Sequence, residues 1–538
     1  MATRRNRTLA PVTPPPPAPE PVRPVAVIDI GASAIRLTVA EPGPPGTPAK
    51  VLEEASRGVL LGKDTFTHNR LTPATVEATL KALQGFRRIM DTYGVVRYRA
   101  VATSAVREAQ NGDAFLDRVR LRTGIDVEVI DGSEENRLTY LAVRDRLKDH
   151  PALVSGDTLL VEVGGGSADL SFLRKGQPLY SGTYPLGAIR LRQSMASWHG
   201  SAEQGLRLLR RQIHNVVDDI RREIPLREAR FFIALGEDVR FAADHTLGDA
   251  PADGLPIIPR EPFIALCDQV SAFDVEQLVE QYHLPQSDAE TLVPSLLACR
   301  ELFLETQAEG VAIPETSLRS GLLLDVLQAD EGRVSQDLGR QVLASAAALG
   351  EKYRWDQNHC RKVAQLAVKL FDDLRAEHGL GDRDRLLLEV AALLHDVGNF
   401  VSLKGHHKHS CYLLSVSEIF GLNADDMGLV ANVARYHRRG LPQKSHPPYM
   451  ALDREARVKV NKLSAILRLA NALDADHLQK VNDVRLLAEE GEWVIEVEGA
   501  GDLTMERLAS MARSDLLTEV FGRQVSFREG RPRAWSTA

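Results

Sequence analysis

The sequence of 538 residues predicts an α/β protein of two related lobes, followed by an all-α domain and a small α+β carboxy-terminal domain. Three observations carry this. A strand runs from Val25 to Ile30, turns at Gly31 and resumes from Ile35 to Ala40. The same unit returns as Thr158 to Val163, a turn at Gly164 to Gly166, and Ala168 to Arg174, which marks an internal repeat. From Ser335 the strand signals vanish and amphipathic helices dominate to about Leu478. The length itself requires several units, because single cores stop growing at roughly 250 to 300 residues.

Taken in order, residues 1–24 read as a disordered tail, with prolines at 14 to 17 and no apolar stretch or cleavage site of a secretory leader. Residues 25–150 form the first lobe. After its opening hairpin, a helix is expected from Thr75 to Tyr93, a strand from Tyr98 to Ala102, a helix from Asn111 to Thr123 and a strand from Val127 to Ile130. Residues 151–334 form the second lobe and 335–482 the helical domain. The last unit, 483–538, has strand-like Val494 to Val497, a helix near Thr504 to Phe521 and a strand near Val525 to Phe527.

No apolar run reaches the ~18 residues of a membrane span, and four scattered cysteines without C-x-x-C spacing fit a reducing cytoplasm. The net charge of -7 repels polyanions at long range and gives no sign of specific nucleic-acid binding, so an anionic ligand needs local basic clusters. One runs through Arg207, Arg210, Arg211, Arg221, Arg222, Arg227 and Arg230, and reads equally as a solvated helix face. The other joins His406, His407, Lys408 and His409 to Arg435, His437, Arg438 and Arg439.

Each copy of the repeated turn follows an acid with small residues, Asp29-Ile30-Gly31-Ala32-Ser33 and Glu162-Val163-Gly164-Gly165-Gly166-Ser167. Glycine lets backbone N–H groups approach an anion, so two such loops facing each other can hold a phosphate. Alone, each is more often a plain hairpin turn, and the two related copies together bring phosphate binding level with that reading.

The segments VIDIGASAIRL (27–37), VATSAVREA (101–109), VIDGSEENRLTYLAV (129–143), LLVEVGGGSADL (159–170), YPLGAIRL (184–191) and SLRSGLLLDVL (317–327) resemble, in order and spacing, the exopolyphosphatase / guanosine pentaphosphate phosphatase family. The resemblance implies duplicated RNase H-like lobes, as in actin-like ATPases. It implies a phosphoanhydride hydrolase releasing terminal phosphate from inorganic polyphosphate or pppGpp, with Mg²⁺ or Mn²⁺ in the cleft and a homodimer. Glu135 matches the general base, with Arg107, Glu162 and Asp169 around it. Asp29, Gly31, Ser33, Arg36, Gly164, Gly165, Gly166, Ser167 and Gly187 match phosphate-binding positions. Three departures stand out: Ala32 and Ala34 replace polar loop residues, Glu162 and Asp169 exchange the usual carboxylate lengths, and Glu237-Asp238 occupy a turn expected to contact phosphate.

The helical segment, with His359, His395-Asp396 and Asp474, resembles the HD phosphohydrolase superfamily, and implies one divalent metal held by those four residues. His409 and His437 are further candidates for metal or phosphate. Two other readings therefore stand beside the first: hydrolysis at the helical metal site with the first half as a ligand-binding module, or a non-catalytic sensor of polyphosphate or alarmone.

Overall fold

The computed structural model describes residues 23–44, 47–195, 201–248, 255–328, 336–438, 440–489 and 491–530; nearly all of the tail assigned to residues 1–24 lies outside them. The repeat in the sequence is a repeat of topology. β1 (Val25–Ile30), β2 (Ala34–Glu41) and β3 (Lys50–Gly58) form an antiparallel meander, and β4 (Arg97–Ala102) and β5 (Glu128–Val129) extend it in parallel on the β1 side, giving the order β3-β2-β1-β4-β5. The second sheet repeats this with β6 (Asp157–Val163), β7 (Ala168–Arg174), β8 (Gln177–Tyr184) and β9 (Phe231–Leu235). β10 (Ile257–Pro259) and β11 (Gly310–Ala312) complete the order β10-β11-β9-β6-β7-β8.

All six residues of β1 are buried, as expected for a central strand covered on both faces. Ala26, Ile28 and Ile30 pack with α1 (Pro73–Thr92) and α2 (Gly112–Thr123). Val25 and Val27 turn the other way, toward Leu138 of α3 (Gly132–Arg146). In the second sheet, Leu159, Val161 and Phe172 pack with α4 (Ala202–Glu223) and α5 (Gln286–Leu304). Arginines of α4 are spent on ion pairs, among them Arg207 with Glu203, Arg210 with Asp268, and Arg222 with Asp219, which favours the helix-face reading of that basic cluster.

α3 joins the two sheets. Its Leu138 belongs to the first core, while Tyr140, Val143 and Leu147 pack with Leu160, Leu173 and Ile233 of the second sheet. In return α6 (Leu318–Gln328), which follows the second sheet in sequence, lays Leu318, Leu322 and Val326 into the core of the first.

The helical part comprises α7 (Gln336–Lys352), α8 (Gln357–Asp373), α9 (Asp382–Leu394), α10 (His406–Ser415), α11 (Ala424–Arg435) and α12 (Arg454–Ala472). The terminal unit is a sheet of β12 (Val481–Glu489), β13 (Glu492–Gly499) and β14 (Gln524–Glu529) with α13 (Thr504–Arg513) and α14 (Asp515–Phe521). The single helix expected at Thr504 to Phe521 is two, broken at Ser514. Val484, Trp493, Ile495 and Leu517 share one core with Val363, Leu394 and Leu463, so the small unit completes the helical core rather than building its own. Among the described residues no helix is long and apolar enough to cross a membrane, and the four cysteines are buried and unpaired.

The α3–α6 contact is backbone-close. A Cβ on Gly321 would lie 2.0 Å from the Leu138 carbonyl oxygen. Gly321→Ala is therefore expected to lower the denaturant midpoint, costing about 1–3 kcal/mol as over-packing does, whereas alanine at the open Gly85, inside α1, raises it slightly. Equilibrium urea unfolding of the two variants checks this.

Candidate functional site

The two glycine turns face one another across a cleft of about 600 Å³. Asp29, Gly31, Ser33 and Arg36 line it from the first hairpin, and Glu162, Gly164, Gly165, Gly166, Ser167 and Asp169 from the second; Glu135, at the start of α3, lies between. The strand register explains why the acids meet. Asp29 sits directly opposite Arg36 on β1 and β2, and Glu162 directly opposite Asp169 on β6 and β7. Exchanging the lengths of the second pair keeps both carboxylates as cross-strand neighbours.

The loops keep their shape by internal bonds, Gly31 N–H to the Ala34 carbonyl (3.0 Å) and Gly164 N–H to the Ser167 carbonyl (2.9 Å). The N–H groups of Gly165 and Gly166 donate to no protein acceptor among the described residues. Gly187 does not line the cleft. It lies behind the second loop, where a Cβ would be 2.1 Å from the Gly166 carbonyl carbon. Arg190, which the sequence reading passed over, donates to the Gly166 carbonyl (2.6 Å), pairs with Glu108 (2.6 Å) and stacks on Phe66.

Glu134 and Glu135 leave the same turn of α3 toward different partners. Asp131 caps the helix, its Oδ1 accepting from the Glu134 N–H at 3.0 Å. Glu134 pairs with Arg137 (2.7 Å) and Arg99 (2.9 Å), which hold its carboxyl below the usual range against the upward push of burial. Glu135 is buried against the cleft and takes one bond from Arg107 (Nη1 to Oε1, 2.8 Å). Burial and then Asp169 push its carboxyl well up, Arg107 opposing. Arg107 also donates to the Ile130 carbonyl and is set behind Glu135 rather than in the cleft lining.

Burial likewise raises Asp29 and Glu162, and lifts Asp169 to about 7. Thr139 donates to Glu162 and Thr183 to Asp169, each at 2.8 Å. Four carboxylates pushed up together in one cleft form an oxygen donor set that suits a hard cation such as Mg²⁺ or Mn²⁺. Glu237 does not face the cleft as an unpaired acid. It pairs with Arg36 at 3.0 Å and is largely exposed, so the arginine expected on phosphate is instead shared with this acid and with Asp29 at 4.0 Å. Arg319, within the SLRSG segment, supplies a further cation to the cleft wall.

A second cluster lies in the helical part, where His359, His395 and Asp396 form one potential metal-binding group and Asp396, His406 and His437 another. His409 belongs to neither; His406, one turn earlier on α10, takes the place expected for it. Asp474 is also outside both groups and bonds Nδ1 of His359 at 2.8 Å. His395, His406 and His437 each turn Nδ1 to the carbonyl three residues earlier, at 2.7, 3.2 and 2.6 Å. In a neutral ring that contact places the proton on Nδ1 and frees Nε2 for a metal, the tautomer a metal takes.

The Nε2 atoms of His359 and His395 are buried without a partner. Those of His406 and His437 lie 3.1 Å apart, and 3.2 and 3.3 Å from Asp396 Oδ1. These converging nitrogen and oxygen atoms fit a divalent transition metal. Burial lowers His395 to about 4, which keeps it a neutral ligand.

Comparison with known proteins identifies the family. The Ppx/GppA phosphatase family matches residues 42–330, and Ppx/GppA phosphatase, domain III, matches residues 342–519. A guanosine-5'-triphosphate,3'-diphosphate pyrophosphatase of Vibrio parahaemolyticus is 25% identical over 480 residues, 86% of this chain and 90% of that protein. Exopolyphosphatase 1 of Mycobacterium tuberculosis is 27% identical over 342 residues, 61% of this chain and 94% of that protein. The crystal structure of an exopolyphosphatase from Cytophaga hutchinsonii superposes with a TM-score of 0.52 at 22% identity, over 57% of this chain and 98% of that one, and shares the fold.

The raised carboxylates have a consequence for stability. Asp169 binds its proton more tightly folded than unfolded, so its contribution is favourable at low pH and is lost as pH rises from its ordinary value of about 4 through about 7. The thermal midpoint of metal-free protein should fall across that window, and Asp169→Asn should flatten the fall. Added Mg²⁺ should raise the midpoint more at the alkaline end than at the acid end. Thermal melts in chelator-treated buffers check each outcome.

Proposed function

Because the chain belongs to the Ppx/GppA phosphatase family, we propose that it hydrolyses the terminal phosphoanhydride of inorganic polyphosphate or of guanosine pentaphosphate in the cleft between its two sheets. One observation carries the reading. Of two adjacent glutamates, Glu134 is neutralised by two arginines, whereas Glu135 is buried against the cleft with a raised affinity for protons. A general base works best with a proton affinity near the operating pH, and only the second glutamate has one displaced in that direction.

Arg107 occupies Oε1 of Glu135, leaving Oε2 for an attacking water. The water proton passes to Oε2 as its oxygen bonds the terminal phosphorus, and the bridging P–O bond breaks with its electron pair leaving on the shortened chain. Gly165 and Gly166 offer free N–H donors to the non-bridging oxygens, and Arg190 fixes the loop that aims them. Asp29, Glu162 and Asp169 would hold a divalent cation, which when bound supplies charge neutralisation for the phosphate oxygens.

Glu135→Gln should lower kcat for phosphate release from tripolyphosphate and from pppGpp by about 10²- to 10⁴-fold, as loss of a general base does. Glu134→Gln should mainly reduce stability, with turnover per folded molecule kept within a few-fold. Hydrolysis that survives Glu135→Gln and disappears in Asp396→Asn would move the chemistry to the helical cluster and overturn this reading.

A further inference from the structure

One helical hairpin touches both sites. α10 and α11 pack side by side as a helical hairpin. Its open end carries His406, the first residue of α10, and His437, two residues beyond the end of α11. Its closed end, the connection 416–423, docks against the start of α3. Helices of 10 and 12 residues separate these ends by roughly 15–18 Å.

The dock is made of specific contacts. Asp131 uses Oδ1 to cap α3 at the Glu134 N–H (3.0 Å) and Oδ2 to accept from the Ala424 N–H at the start of α11 (2.7 Å). One carboxylate thus satisfies the amino-terminal dipoles of both helices. Ser133 Oγ donates to the Ile419 carbonyl at 3.2 Å. Phe420 is fully buried, edge-on to Tyr140 of α3 with ring centroids 5.2 Å apart. Every one of these contacts lies within two turns of Glu135.

We propose that the group Asp396, His406 and His437 is a regulatory site for a divalent transition metal, whose occupancy fixes the α10–α11 hairpin and thereby holds the base helix α3 in position. Without a cation, the open end is closed only by the 3.1 Å contact between the two Nε2 atoms and by their contacts with Asp396 Oδ1. With one, both nitrogens and Asp396 are drawn to a common centre. The differential contact at the far end is the shared cap. In the docked state Asp131 bridges α3 and α11 and Phe420 fills its pocket; in the loosened state Asp131 caps α3 alone. An ion that favours the docked state shifts the population toward it, and the linkage is reciprocal.

The inference rests on the position of α3 and not on the hydrolytic assignment, so either can fail alone. The test is hydrogen–deuterium exchange over residues 132–140 of the full chain, chelator-treated and then saturated with Zn²⁺, with bound zinc counted on each sample by elemental analysis. Zinc should slow exchange there by about fivefold or more in the wild type, the lower end of ordinary coupling. His437→Ala should bind less zinc and lose the effect. Asp131→Ser keeps a capping oxygen for α3 but cannot also reach Ala424, so it should bind as much zinc as the wild type and show no slowing. Phe420→Leu, a milder change in the same dock, should show a reduced response. Equal exchange with and without zinc in the wild type, failure of the wild type to bind zinc, or an undiminished response in Asp131→Ser would each overturn the proposal.

Discussion

The chemistry of this molecule depends on how one helix begins. At the start of α3, Asp131 fixes the first turn, so Glu134 and Glu135 depart in directions set by the helix and not by their own rotamer freedom. Arg99 and Arg137 neutralise the first, and both also pair with Asp325 of α6 at 2.7 Å. That network ties α3 to the helix that returns from the second sheet. Glu135 is thereby held at a depth where desolvation raises its proton affinity, beside Asp169 from the other hairpin. A carboxylate in water would be too weak a base for the task at neutral pH.

The departures from the common family pattern look different once the register is visible. Glu162 and Asp169 face each other as Asp29 and Arg36 do, so the duplicated hairpins carry an acid–acid pair in one copy and an acid–base pair in the other. Glu237, expected to repel a polyanion, instead pairs with Arg36 and leans toward solvent. With Ala32 and Ala34 in place of polar residues, recognition in the first loop is left to Ser33, to backbone donors and to the cations of the walls, Arg319 among them. What remains is a site whose groups are held by the sheets, with little dependence on flexible side chains.

Much of this was legible in the sequence because hairpins with a glycine turn and an acid before it are local features, repeated almost unchanged. The third strand of each meander was not. Lys50–Gly58 is a partly exposed, charge-rich edge strand without the alternation that marks a half-buried one, and Gln177–Tyr184 follows β7 through a tight turn at Lys175-Gly176. In the helical cluster, three histidines within four residues offer no local means of choosing among them. The choice falls on His406 because its ring meets the Leu403 carbonyl and the Asp396 carboxylate, both set by tertiary packing. Asp474 matches a ligand position in sequence, yet the fold sets it on the other nitrogen of His359. Arg190 and Arg319 lie inside the YPLGAIRL and SLRSG segments, but their roles come from the distant partners they meet.

The central claim is that burial and Asp169 make Glu135 the base, and the pH dependence of kcat/KM for tripolyphosphate tests it most directly. The account predicts an acidic limb well above the ordinary glutamate range of about 4.3, shifted downward in Asp169→Asn as the neighbouring charge is removed. An acidic limb at the ordinary glutamate value, unmoved by Asp169→Asn, would contradict it.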